Sequence, residues 1–217
     1  MNQPNAFATF REHRGVVYRT STYLQWGPNS EGHHSLGSCL LLNPGSAKLF
    51  RERPASGHSM MGQTTLDPTM RQLIRLVETL YGKRALAGRF HIYNLFSVQN
   101  AAAVNAISHF EQLIHEKETT LEAQLVSTQE LQKHPWLLLG WGLSHHHSWQ
   151  HFSSLKKLWK QRIAAAGVPT FGKPCPKRID YYHPSPPLHA SKEMIVEELV
   201  EIYRKTIGRK STHPLSH

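Results

Sequence analysis

Four short apolar runs constrain this chain more than any other feature. They are "SCLLLN" (38–43), "RFHIYN" (89–94), "WLLLGWG" (136–142) and "RIDYY", which runs straight into "HPSPPL" (183–188). Each stops at polar or turn-forming residues: Asn43-Pro44-Gly45, Asn94, Gly140-Trp141-Gly142 and His183-Pro184-Ser185-Pro186. Between the runs lie segments of helical period. In "DPTMRQLIRLVETLYG" the apolar positions are 70, 73, 74, 77 and 80, with Asp67 as N-cap, Pro68 in the first turn and Gly82 as the stop. Further helices are predicted over 101–118, 144–167 and 190–208. "VPTFG" and "RIDYY" read as short extended pieces, "GVVYRTSTYLQWG" as one or two edge strands, and 46–66 as a long irregular loop.

Apolar strands alternating with helices call for a parallel sheet covered on both faces. The fold class is therefore α/β, as a single domain over 1–208 followed by a disordered tail at 209–217. In such folds ligands bind beyond the carboxyl ends of the strands. The four punctuated strand ends then gather on one rim.

Composition narrows the partners. At 217 residues, with 39% hydrophobic and 18% charged residues, the chain suits one folded domain. Lys and Arg number 25 against 15 Asp and Glu, giving a formal charge of +10. A basic surface of that size favours a polyanion, and nucleic acid is the commonest. No apolar run approaches the ~18 residues of a membrane span, and "MNQPNAFATFREHRG" lacks a signal core. The expectation is a cytoplasmic chain, taken as a monomer, that binds nucleic acid and no membrane. Two cysteines, Cys39 and Cys175, are too few for a four-thiolate centre. His145-His146-His147 on a predicted helix point in different directions. His147 and His151 have chelating spacing but no completing ligand, so no metal and no cofactor are expected. Lys156, Lys157, Lys160 and Arg162 read as a solvated helix face or one contacting phosphates.

Taken in order, "LLLNPGSA", "FHIYNLFSV", "WLLLGWG" and "YYHPSPPLHAS" resemble the uracil-DNA glycosylase superfamily. The chain also resembles a sparsely characterised bacterial and phage domain family with "LNP", "DPT" and "NLF" elements, read as a distant branch of that superfamily. The resemblance spans residues 38 to about 192. It implies a three-layer α/β/α fold around a central four-stranded parallel sheet. It places Asn43 where a residue orients the attacking water, Asn94 where the flipped base is hydrogen-bonded, and His183 opposite the base oxygen. Pro44, Phe50 and Asp67 join the candidate pocket, Phe50 as the stacking ring and Asp67 as a pocket carboxylate besides its capping role. Ser185, Leu188, Ser144 and Lys192 are the candidate DNA contacts, with Leu188 as the wedge because Pro187 stands where a leucine is common. Leu42 replaces the small residue usual in the first motif.

These residue types fit cleavage of an N-glycosidic bond. The sugar gains positive charge and the departing base negative charge, so an amide that positions water suffices and a histidine donor supports the leaving oxygen. The expected activity is a DNA glycosylase acting on a flipped pyrimidine. A modified base, such as those of phage genomes, is the favoured substrate, with a defence role attached. The alternatives are a catalytically weak DNA-binding module of the same fold and a hydrolase of free nucleosides or nucleotides.

Overall fold

The computed structural model describes residues 3–28, 34–50, 57–82, 86–177 and 179–208. The expected tail at 209–217 lies outside these residues. The chain opens with β1 (Asn5–His13) and β2 (Val16–Trp26), an antiparallel hairpin. Its two-residue turn holds Arg14 at φ 51° and Gly15 at φ 77°, the left-handed pair that matches strand twist. Then follow β3 (Ser35–Leu41), β4 (Ser59–Thr64), α1 (Pro68–Tyr81), β5 (Gly88–Asn94), α2 (Ala103–His115), a 3₁₀ turn (Glu122–Gln124) and α3 (Thr128–Gln132). Last come β6 (Leu137–Leu139), α4 (Gln150–Ala166), β7 (Thr170–Phe171) and α5 (His189–Thr206).

All seven strands form one mixed sheet in the order β4-β1-β2-β5-β3-β6-β7. The pairs β5·β3, β3·β6 and β6·β7 are parallel, whereas β4·β1, β1·β2 and β2·β5 are antiparallel. The sheet is thus seven-stranded and mixed, not the expected four-stranded parallel one; "RIDYY", expected as a strand, makes only isolated bridges at Tyr181, and "VPTFG" supplies the short strand β7 instead. "NAFATFREH" hides its alternation because the inward positions Ala6 and Ala8 are small, and β4 is only "SMMGQT" inside the predicted 46–66 loop. Consequently β2 is an interior strand, not an edge.

Side chains of the parallel strands alternate between two cores. Leu36, Cys39 and Leu41 of β3 and Leu138 of β6 meet α1 and α5; Leu40, Leu137 and Leu139 meet α2 and α4 on the other face. That is why "CLLL" and "WLLL" are apolar without a period of two. The cap of α1 forms as its sequence predicts: Asp67 accepts a hydrogen bond from the Met70 N–H at 2.8 Å.

The helix predicted from residue 144 begins only at Gln150. His145, His146 and His147 therefore lie in the loop before it, where His146 Nδ1 contacts Ser148 Oγ at 2.7 Å. The first turn of α4 is capped from another helix, the Glu111 carboxylate accepting the His151 and Phe152 N–H groups at 3.2 and 2.6 Å. The expected solvated lysine face holds only in part: Lys157 and Lys160 are exposed, Lys160 donating to the Ile179 carbonyl, whereas Lys156 donates to both oxygens of buried Asp180 at 3.0 Å and Arg162 to the Val126 carbonyl.

Candidate active site

The carboxyl ends of β3, β5 and β6 open into a cavity of about 520 Å³. That lies within the roughly 300–1,000 Å³ typical of small-molecule sites. Asn43 follows β3, Asn94 ends β5, Trp141 to Ser144 follow β6, and Tyr182 to Pro187 come from the segment between β7 and α5; all contribute to its lining except Pro184. Two contacts bring the last two segments together. The Gly142 N–H donates to the Tyr181 carbonyl at 2.9 Å, and Pro184 packs so closely on Gly140 that a Cβ there would sit 2.8 Å from the proline Cδ.

Asn43 is fixed by its neighbours. Its Nδ2 donates to the carbonyls of Pro44 and Asn100 at 2.9 and 2.8 Å. Two carbonyl partners settle which end of the amide is nitrogen, so Oδ1 is left as an acceptor. Pro44 is buried and outside the lining; its carbonyl also takes the Asn100 N–H at 3.2 Å, so it holds Asn43 in place.

His183 is half-buried, and its Nδ1 lies 3.1 Å from the Ser185 N and 3.2 Å from the Ser185 carbonyl oxygen. The backbone N–H always carries its hydrogen, and the neutral tautomer that satisfies it accepts at Nδ1 and carries its proton on Nε2. Desolvation pushes the imidazole below its ordinary pKa, outweighing the Ser185 backbone and the Asp67 charge, which act upward. The ring is therefore neutral at physiological pH.

Asn94 pairs in register with Leu41, which sets its side chain beside the first motif. Its Oδ1 is buried with no donor among the described residues. Asp67 also lines the cavity, close to Gly45, where a Cβ would lie 3.1 Å from Oδ2.

Of the remaining predicted residues, Ser144 and Ser185 line the cavity. Leu188 is 72% exposed at the start of α5, and Lys192 sits in the first turns of that helix, its carbonyl accepting from Gln72; neither lines the cavity. Phe50 is corrected: it is 62% exposed, tied by its N–H to the Gln63 carbonyl at 3.1 Å, and lies outside the lining. Besides His183, the rings that do line the cavity are Trp141 and half-buried Tyr182. Trp141 is fully buried, its Nε1 donating to Asp180 at 2.7 Å.

Arg19 is the residue that sequence reasoning misses. It comes from β2, the strand read as an edge, and lines the cavity with only 4% exposure. A β-bulge explains its direction. The pairing shifts between Phe7↔Tyr23 and Thr9↔Thr20, and Ser21 in the shifted stretch has φ 47°. One extra residue reverses the phase of everything before it. Arg19 then faces the α1 side with Leu24, while Tyr18 packs on the opposite core.

Comparison with protein-family models, curated proteins and solved structures returns no match to this chain.

Proposed function

We propose that the chain is a DNA glycosylase that flips a pyrimidine-type base into this cavity and hydrolyses its N-glycosidic bond. One observation carries the reading: Asn43, Asn94 and His183, which the resemblance singles out from motifs far apart in the chain, line one cavity beyond the ends of parallel strands. Each is also in the chemical state the reaction needs. Asn43 Oδ1 is the free acceptor that can hold a water molecule in line with the sugar carbon, since Nδ2 is already bound. Neutral His183, with its proton on Nε2, donates a hydrogen bond to the base oxygen as charge builds there. A donor of this kind contributes about 3–4 kcal/mol to the transition state. Asn94 presents a buried acceptor to the polar edge of the base. Tyr182 replaces Phe50 as the ring available for stacking.

The surroundings suit DNA. The formal charge of +10 supplies salt-sensitive attraction to the backbone. Leu188 and Leu143, 72% and 41% exposed, project apolar surface near the cavity mouth, where they can fill the space a flipped nucleotide vacates. Flipping costs a few kcal/mol, and these contacts offset it.

The test is release of free base. The protein is incubated with genomic DNAs of differing base modification, including phage DNA with substituted cytosine or thymine, and small molecules are identified by mass spectrometry. A released base from at least one DNA is expected. Retention of every base, with DNA still bound, would reduce the chain to a binding module.

A further inference from the structure

The floor of the cavity holds a charge that excision of a plain pyrimidine does not use. Arg19 Nε and Nη1 are buried and find no acceptor among the described residues. The nearest carboxylate oxygen, Asp67 Oδ2, is 3.7 Å from Nη1, close enough for attraction and too far for a hydrogen bond. The other oxygen of Asp67 is engaged by the Met70 N–H. A guanidinium in a desolvated site is costly unless its charge is compensated, and here the compensation is incomplete. The chain nevertheless keeps a left-handed non-glycine residue at Ser21, in the bulge that turns this cation inward.

Asp67 is the opposing charge at this cavity, and it is already engaged elsewhere. The charged residues in the lining are Arg19 and Asp67, and His183 is neutral. Residues from the first turn of α1 (Thr69, Met70) and around the start of α2 (Ala101, Ala103) contribute to the wall. No side chain caps the first turn of α2, where Asn100 Oδ1 takes only the Ala102 N–H at 2.9 Å. The α1 terminus stands behind Asp67 and offsets that carboxylate.

We infer that Arg19 makes this cavity selective for a ligand bearing an oxyanion, either a carboxylate on the base or a phosphate on the nucleotide. The inference rests on the nucleobase reading of the cavity and narrows it. A carboxylated pyrimidine would set its ring on Asn94 and His183 and its substituent toward Arg19. A nucleotide would instead set its phosphate there.

The experiment is calorimetric titration of the intact protein with three free probes: 2′-deoxycytidine, 5-carboxy-2′-deoxycytidine and 2′-deoxycytidine 5′-monophosphate. Wild type, Arg19→Gln and Arg19→Lys are compared, each first checked for an intact folding transition. One oxyanion-bearing probe is expected to bind about tenfold or more tighter than the plain nucleoside. Which probe does so identifies the source of the oxyanion. Arg19→Gln should abolish the advantage and Arg19→Lys should keep part of it, so a single misfolded variant leaves the test standing. Equal affinity for all three probes, an advantage that survives Arg19→Gln, or no measurable binding of any probe would overturn the inference. None of the probes is DNA, so failure to release a base from DNA would leave these outcomes untouched.

Discussion

The two faces of β5 carry two polar clusters that solve the same problem in opposite ways. Ile92 and Asn94 point to the cavity side, where Asn94 Oδ1 and two Arg19 nitrogens lack hydrogen-bond partners among the described residues. His91 and Tyr93 point to the other side, into a network closed on itself. His134 Nδ1 meets Ser35 Oγ at 2.8 Å, His134 Nε2 meets the Tyr93 hydroxyl at 2.6 Å, and that hydroxyl lies 3.2 Å from Glu130 Oε1. His91, 4.8 Å from the His134 ring, is its one loose member, with Nδ1 unpartnered. Buried polar groups that satisfy one another lock a structure; those left open await a ligand. The closed cluster should therefore carry stability and the open one function.

A large separation between activity and stability should appear at Asn43. Replacing it by Ala removes the acceptor that places the water, and single-turnover base release should fall on the order of 10²-fold. Its cost in stability should stay small beside that. Asn43→Asp keeps an acceptor but loses both donations to the Pro44 and Asn100 carbonyls, so it should retain only part of the activity. An Asn43→Ala variant with wild-type rates would remove this residue from the reaction and weaken the contrast at its root.

On the closed side, His134→Ala removes one hydrogen bond each from the Tyr93 hydroxyl and Ser35, which keep only Glu130 and the Gly37 N–H, at a cost of about 1–3 kcal/mol. For a domain of this size each kcal/mol moves the thermal midpoint by roughly 2–4 °C. Base release at a temperature well below the transition should be unchanged, and calorimetry beside an activity assay checks both. An equal loss of activity and stability would show that the two faces are not independent.

The same network sets a smaller, pH-dependent effect. Desolvation, helped by His91 and Lys133 and opposed by Glu130, lowers the His134 pKa to about 4. In the unfolded chain it titrates near 6.5. Between these values the unfolded state binds more protons, so stability is full above about pH 6.5 and declines as pH falls toward 4. His91 is shifted in the same direction by burial. Chemical denaturation across this range should show that decline, and His134→Ala should flatten part of it. A stability that is level from pH 7 to pH 4.5 in the wild type would mean the network does not exclude protons as described.

What the sequence disclosed follows the same division between local and distant causes. The Asp67-Pro68 cap of α1, the apolar runs of β3 and β6 and the strand-end positions of Asn43 and Asn94 are readable because neighbouring residues determine them, whereas His183 reaches the same rim from a loop rather than from the expected strand. Arg19 is not, because its direction depends on a bulge at Ser21 defined only against β1. Nor is β4, whose "SMMGQT" becomes a strand by pairing with β1 across more than forty residues of chain. Phe50 illustrates the converse failure. The right residue type stood near the right motif, yet its N–H pairs with the Gln63 carbonyl and the exposed ring stays outside the cavity lining.

The central claim is that the cavity performs chemistry on a base, and His183 tests it most directly. DNA affinity and single-turnover base release are measured side by side for the wild type and His183→Ala, on the DNA from which base release is first detected. If neutral His183 supports the leaving base, release slows by about 10²–10³-fold while affinity is nearly unchanged. Equal losses in both measurements would make the His183–Pro187 loop a docking element and contradict the account.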